Sequence, residues 1–318
     1  MGKLKVAAVI VTYNRKELLL ECIEAVSKQS FPVHQIILID NASTDGTDQA
    51  LRDSGYFDKP EMDYHHMDTN TGGAGGFYEG MKIARDTDAD WIWIMDDDTI
   101  PSTTCLEKLI DGLETIQKNN SEGDLSFLAS AVYGENGEYM NVPTISSQCA
   151  DNGYMTWYKY LEYGMVEIDH ATFVSVLINK KAIEKCGLPC KDFFIWGDDG
   201  EYTKRITHNF GKAYMIGKSV AIHKRKNAVS LKYNFETDPS RIAMRHYLYR
   251  NLAIVDRYYN KGTVRTYLHL IKEVLNYPLT IGDKLNRLRQ QAKIKGYFEG
   301  ITQYNQFKSY IDDQLNNK

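Results

Sequence analysis

The sequence predicts an α/β fold: a mainly parallel sheet flanked by helices, with a C-terminal helical region. Three observations predict it. Short apolar runs alternate with helix-spaced segments through the first hundred residues. Those runs are continuously apolar, as strands covered on both faces are. From about residue 238 the pattern is helical.

Each element follows from its own pattern. VAAVIV (6–11) is short, β-branched and unbroken, a buried strand. Residues 16–29 space Leu19, Cys22, Ile23 and Val26 as one helix face. IILID (36–40) is a second strand, and Thr44, Asp45 and Gly46 open a second helix with cap-type residues. Tyr64 to Met67 is a weak third strand. The glycine-rich stretch NTGGAGG (70–76) leads into a helix through about Arg85, and WIWIM (91–95) is the fourth strand. Residues 101–118 are helical and 119–165 less regular. A strand and a short helix follow over 166–185, then a turn and a helix over 191–206, then a strand over 213–224. The C-terminal helices are expected to break near Pro278 and Gly296.

The chain has 318 residues, 43% of them hydrophobic and 25% charged, an ordinary globular composition able to bury a large core. It contains no run of apolar residues long enough for a spanning helix. The N-terminus turns polar too soon for a signal peptide, and five cysteines suit a reducing, cytoplasmic setting. The net charge of −4 argues against nucleic acid as partner. It is unevenly spread: residues 1–235 carry 34 acidic and 24 basic side chains, residues 236–318 carry 8 and 14. That shift divides the chain into 1–235 and 236–318.

Ligands of parallel sheets sit beyond the carboxyl ends of the strands, so the polar residues there carry the chemistry. Asp96 and Asp98, two apart after WIWIM, point the same way and repel unless a cation lies between them. Mg²⁺ or Mn²⁺ held with substrate phosphates meets that need; a solvated acidic turn is the structural alternative. A phosphatase-type DxDx(T/V) motif fits poorly, because Ile100 stands at its fifth position. Trp196, Gly197, Asp198, Asp199, Gly200 and Glu201 form a second acidic cluster. One of its paired aspartates is suited to act as general base and the other to cap the next helix. His223 ends an apolar run, where a neutral imidazole can complete a metal shell. The glycine stretch lets an anion approach backbone at a helix N-terminus, although it matches neither the P-loop nor GxGxxG. Asp40 is placed either to accept hydrogen bonds from a nucleoside or to make a turn. CGLPC (186–190) lacks a partner pair for zinc, so its cysteines are expected to be ordinary core residues.

Taken together, VIVTYNR, LIDNASTDGT, NTGGAGG, WIWIMDDD and FFIWGDDGEYTKR resemble the inverting family 2 glycosyltransferases of GT-A fold over about residues 5–225. The glycine loop, the triple Asp, the Trp–Asp–Asp–Glu element, the later His and HYLYRN (246–251) are similar to bacterial galactofuranosyl- and rhamnosyltransferases. In one respect the chain departs from them: Gly197 separates Trp196 from the Asp pair. The resemblance implies a Rossmann-like GT-A nucleotide-sugar-binding and catalytic domain over 1–235 and a helical region over 236–318. It implies that Thr12, Tyr13, Arg15 and Asp40 hold the nucleoside, with Asn70, Gly72, Gly73 and Asp97 completing the nucleotide-sugar site. Asp96, Asp98 and His223 would hold a divalent metal, Mn²⁺ or Mg²⁺. Asp199 would be the base, and Trp196, Asp198 and Glu201 would bind the acceptor.

The function implied is metal-dependent, inverting transfer of a sugar to a hydroxyl of a growing cell-surface glycan or lipid-linked acceptor. UDP-galactofuranose is the favoured donor, with dTDP-rhamnose the alternative. More distant readings are a sugar-phosphate nucleotidyltransferase, whose GxGTR-type loop is absent, and a non-catalytic nucleotide-sugar- or glycan-binding protein. The basic tail also suits peripheral association with the inner face of the membrane, and an oligomer is compatible with the sequence.

Overall fold

A computed structural model describes residues 4–119, 124–225, 236–280 and 282–316. These form two compact units, one of Met1–Pro189 with Asp199–Lys226 and one of Cys190–Asp198 with Asn227–Lys318.

The first unit is built on one mixed sheet. Its strands are β1 (Val6–Thr12), β2 (Gln35–Asp40), β3 (Met62–His66), β4 (Trp91–Asp96), β5 (Thr99–Pro101), β6 (Leu125–Tyr133), β7 (Tyr139–Met140), β8 (Thr144–Ile145), β9 (Met165–His170), β10 (Val176–Asn179) and β11 (Lys212–His223). The order is β3-β2-β1-β4-β10-β6-β11-β9-β8, with β5 and β7 on β11 and β6. The half from β3 to β4 is parallel, as the continuously apolar β1, β2 and β4 lead one to expect. β10 runs antiparallel to both β4 and β6. Helices α1 (Lys16–Ser27), α2 (Thr47–Asp53), α3 (Gly72–Arg85), α4 (Cys105–Lys118), α5 (Lys180–Cys186) and α6 (Asp198–Asn209) connect the strands. The chain leaves β1 toward β2 on one side and returns to β4 on the other. The crevice beyond these strand ends is therefore a topological switch point, where such sheets bind ligands.

Three expectations are corrected. The stretch 119–165 contains β6, a central strand, whose Ser126 and Ser130 dilute its apolar pattern. Ser130 is buried in a hydroxyl network with Ser175 and Ser219, each at 2.7 Å. The glycine stretch is the start of α3 rather than a loop before it. A Cβ on Gly76 would lie 2.4 Å from Val11 Cγ1, and one on Gly80 2.4 Å from Val9 Cγ1, so these glycines let α3 lie close against β1. The third difference is in the C-terminal helices, where Gly296 breaks nothing.

The second unit consists of α7 (Pro239–Met244), α8 (His246–Asn260), α9 (Thr263–Asn276), α10 (Lys284–Thr302) and α11 (Tyr304–Asn316), with the 190–198 segment. α9 passes into a 3₁₀ turn, Tyr277–Thr280, at the expected break. Gly296 sits inside α10, where a Cβ would lie 2.5 Å from the His246 carbonyl oxygen; that of Gly300 would lie 2.8 Å from Ala253 Cβ. The pair, one turn apart, lets α8 and α10 meet backbone to backbone. Among the described residues no helix is long and apolar enough to cross a membrane.

Candidate active site

The end of β4 supplies the acids. Asp97 is buried and faces back toward the loop after β1. It accepts hydrogen bonds from Thr12 Oγ1 (2.8 Å), Tyr13 N (3.3 Å) and Arg15 Nη1 (3.2 Å). Burial pushes its carboxyl up to about 6, although Arg15 opposes the shift. Asp97 thus has its acceptors filled by Thr12, Tyr13 and Arg15, and shapes the loop that carries them. Arg15 also reaches Asp98 Oδ2 at 2.5 Å, which sets a guanidinium among the strand-end acids.

The ligand atoms of Asp96, Asp98 and His223 lie within 4.8 Å of one another. β5 brings this about by pairing with the end of β11, setting His223 opposite Thr99. His223 Nδ1 donates to Asn141 Oδ1 at 2.8 Å, and Asn141 Nδ2 donates to Thr172 Oγ1 at 2.9 Å. The second bond orients the amide, and His223 Nε2 is left facing Asp98 Oδ1 at 3.0 Å. That oxygen is buried and makes no aligned hydrogen bond. About 3 Å is also the spacing of neighbouring octahedral ligands at about 2.1 Å, so these side chains could hold a cation. The donor set of two carboxylates and an imidazole suits Mn²⁺ or Mg²⁺. Despite burial, His223 and Arg15 hold the Asp98 carboxyl below its usual range.

The β2 end is a second cluster. Asp40 is buried; its Oδ1 accepts from Ser43 N at 2.8 Å and its Oδ2 from the Tyr64 hydroxyl at 2.8 Å. Burial and this bond push the Tyr64 phenol far above its ordinary range. Asn41, absent from the expected site, ties the β2 end to the start of α3. Its amide donates to Asn70 Oδ1 (3.1 Å) and Gly72 O (2.9 Å) and accepts from Thr71 N (2.9 Å). Gly72 takes a φ of +73°, and nothing lies within 4 Å of the position of a Gly73 Cβ, so that backbone is open to approach.

Within the first unit, α6 carries Asp199 near its N-terminus, half-buried, with Oδ1 accepting from Gly200 N at 2.6 Å. Glu201 departs from expectation. It is wholly buried in a two-pronged pair with Arg205, at 3.0 and 2.9 Å, and Arg205 also donates to the Cys186 and Leu188 carbonyls. Such a carboxylate fastens α6 to the CGLPC segment and is withdrawn from any acceptor.

Within the second unit, the segment before α6 is held in rare conformations. Phe194 has φ +64° and ψ −61°, the centre of a γ-turn closed by Ile195 N donating to Phe193 O at 2.7 Å. Trp196 and Gly197 also have positive φ, +62° and +89°. HYLYRN supplies the restraint: the Asn251 amide donates to the carbonyls of Phe193 (3.0 Å), Ile195 (3.2 Å) and Trp196 (2.7 Å). Arg250 Nη2 donates to those of Asp192 (2.8 Å) and Phe193 (3.0 Å). Arg245 lies over the Trp196 ring at 4.6 Å. The departure at Gly197 now has a cause, since a Cβ there would be strained and only 3.2 Å from Asn251 Cβ. Asp198 is buried, whereas Trp196 is partly exposed.

The mixed sheet, its switch point and the strand-end acids define the class as the GT-A glycosyltransferase fold. Residues 7–126 match the family described as Glycosyl transferase family 2. The chain is similar to galactofuranosyltransferase GlfT1 of Mycolicibacterium smegmatis, 38% identical over 111 residues, or 35% of each chain. It is also similar to glycosyltransferase GlyG of Streptococcus pneumoniae, 28% identical over 104 residues, or 33% of each. The match thus spans about a third of these relatives' length. Among solved structures, GalNAc-T7 with UDP, GalNAc and Mn²⁺ superposes with a TM-score of 0.64 at 14% identity, over 98% of this chain and 58% of that one. S. aureus TarS 1–349 superposes with a TM-score of 0.53 at 13% identity, over 96% and 92%.

Proposed function

We propose that the protein is a metal-dependent, inverting glycosyltransferase that moves galactofuranose from UDP-galactofuranose to a hydroxyl of a cell-surface glycan or lipid-linked acceptor. It would work on the cytoplasmic side, with the basic C-terminal region toward the membrane. The observation that carries this reading is the cluster of Asp96, Asp98 and His223, whose ligand atoms lie within 4.8 Å of one another at the strand ends. The galactofuranosyltransferases among its relatives favour that donor over dTDP-rhamnose.

In this reading the nucleoside lies against Thr12, Tyr13, Arg15 and Asp40, with Asn70, Gly72 and Gly73 beside it and Asp97 holding the loop in shape. Asp96, Asp98 and His223 would hold the metal, which when bound stabilises negative charge on the departing diphosphate. Trp196 and Asp198 position the acceptor. Asp199, the more exposed of the paired acids, takes the proton of the acceptor hydroxyl. As it does so, the hydroxyl oxygen bonds to the anomeric carbon on the face opposite the diphosphate. The bond from that carbon to the diphosphate breaks, so the configuration inverts and the nucleoside diphosphate leaves.

Asp199→Asn tests the assignment by separating binding from transfer. With Mn²⁺ the variant should be thermally stabilised by UDP-galactofuranose as the parent is, yet transfer at least about 100-fold more slowly. Transfer at the parental rate would refute the base. Stabilisation of neither protein by any UDP-, dTDP- or GDP-sugar would refute the donor reading.

A further inference from the structure

α9 is amphipathic in the inverted sense. At 100° per residue, Val264, Tyr267, Leu268, Ile271, Val274 and Leu275 fall on one arc, and Thr266 and Glu273 fall opposite. The polar side is the buried one. Glu273 accepts from Gln290 Nε2 at 2.6 Å through both its side chain and its carbonyl, and Lys293 Nζ lies 3.4 Å from its carboxylate. The apolar arc is the exposed one: Leu268 is 61% exposed, Ile271 54% and Leu275 71%. A folding helix buries its apolar stripe, so an arc left outside is available for another surface.

We propose that this face of α9 docks the protein onto an anionic lipid surface. Charge complementarity selects that occupant. Residues 261–298 carry eight Lys and Arg against two acidic residues, and Lys272, Lys284 and Arg287 are exposed. A second copy of the chain, meeting it through a twofold axis, would set these basic flanks against each other. An anionic bilayer accepts both parts: the apolar arc enters the headgroup–acyl boundary while Lys and Arg reach the lipid phosphates. A shallow apolar hollow lined by Tyr277, Gln291, Ile294, Lys295 and Phe298 lies in the same unit, between the turn after α9 and α10. The inference deepens the membrane part of the proposed function, but it is tested without any sugar or metal, so either can fail alone.

The test is co-sedimentation of the full chain with phosphatidylcholine vesicles and with vesicles in which a third of that lipid is replaced by phosphatidylglycerol. The parent should bind the anionic vesicles, release in high salt, and leave the neutral ones unbound. Leu268→Glu with Ile271→Glu should weaken binding about tenfold or more without lowering the melting temperature, since both positions are exposed. Lys272→Glu with Arg287→Glu should weaken it through charge alone, which keeps the test decisive if the first variant is poorly folded. Absence of parental binding to anionic vesicles would overturn the proposal, as would undiminished binding by both variants. A concentration-dependent dimer that the apolar variant abolishes, with no vesicle binding, would assign the face to a second copy instead.

Discussion

The imidazole of His223 has two nitrogens, and Asn141 fixes which of them faces Asp98. By accepting from Nδ1, the amide turns Nε2 toward Asp98, where it can serve as a metal ligand. Asn141 has a φ of +49°, a conformation that Asn, Asp and Gly tolerate. Asn141→Gly therefore removes the side chain with little backbone strain, and Asn141→Asp keeps an acceptor in its place. Electron paramagnetic resonance of Mn²⁺ should show affinity about 10- to 100-fold weaker in the Gly variant and retained in the Asp variant. Equal affinities in parent and Gly variant would show that Asn141 does not govern the ring. Nothing in the sequence marks this asparagine, because it meets His223 only through a fold that brings residues 82 apart into contact.

At the scale of elements, legibility follows how local the cause is. β1, β2 and β4 are continuous apolar runs and fold as their patterns require. β6 is obscured because Ser130 bonds to Ser175 and Ser219 and Ser126 to the Lys212 carbonyl, partners distant in the chain. Gly296 and the α3 glycines look like breakers but serve close packing, which is a property of the neighbouring element rather than of the helix itself. The two acidic clusters were legible as clusters; what the sequence left out was their support. The strained 193–197 segment depends on Asn251, whose amide serves three carbonyls at once. Asn251→Ala should cost about 2–4 kcal/mol in urea denaturation, since buried carbonyls lose their donors. Asn251→Asp should not restore it, because a carboxylate has no N–H to give. Full stability in the Asp variant would mean that packing, not donation, holds the segment.

For the molecule as a whole, the charge asymmetry has a structural counterpart. The acidic part contains the strand-end carboxylates that call for a cation, whereas the basic part exposes Lys and Arg around an outward apolar helix face. The central claim concerns the first of these, that Asp96, Asp98 and His223 bind a metal that in turn binds the nucleotide diphosphate. Calorimetric titration of UDP into the full chain, with Mn²⁺ and again after chelation, tests it most directly. The account predicts that chelation weakens UDP binding at least about tenfold, because the metal carries much of the attraction for the diphosphate. Equal affinity with and without the metal would contradict it.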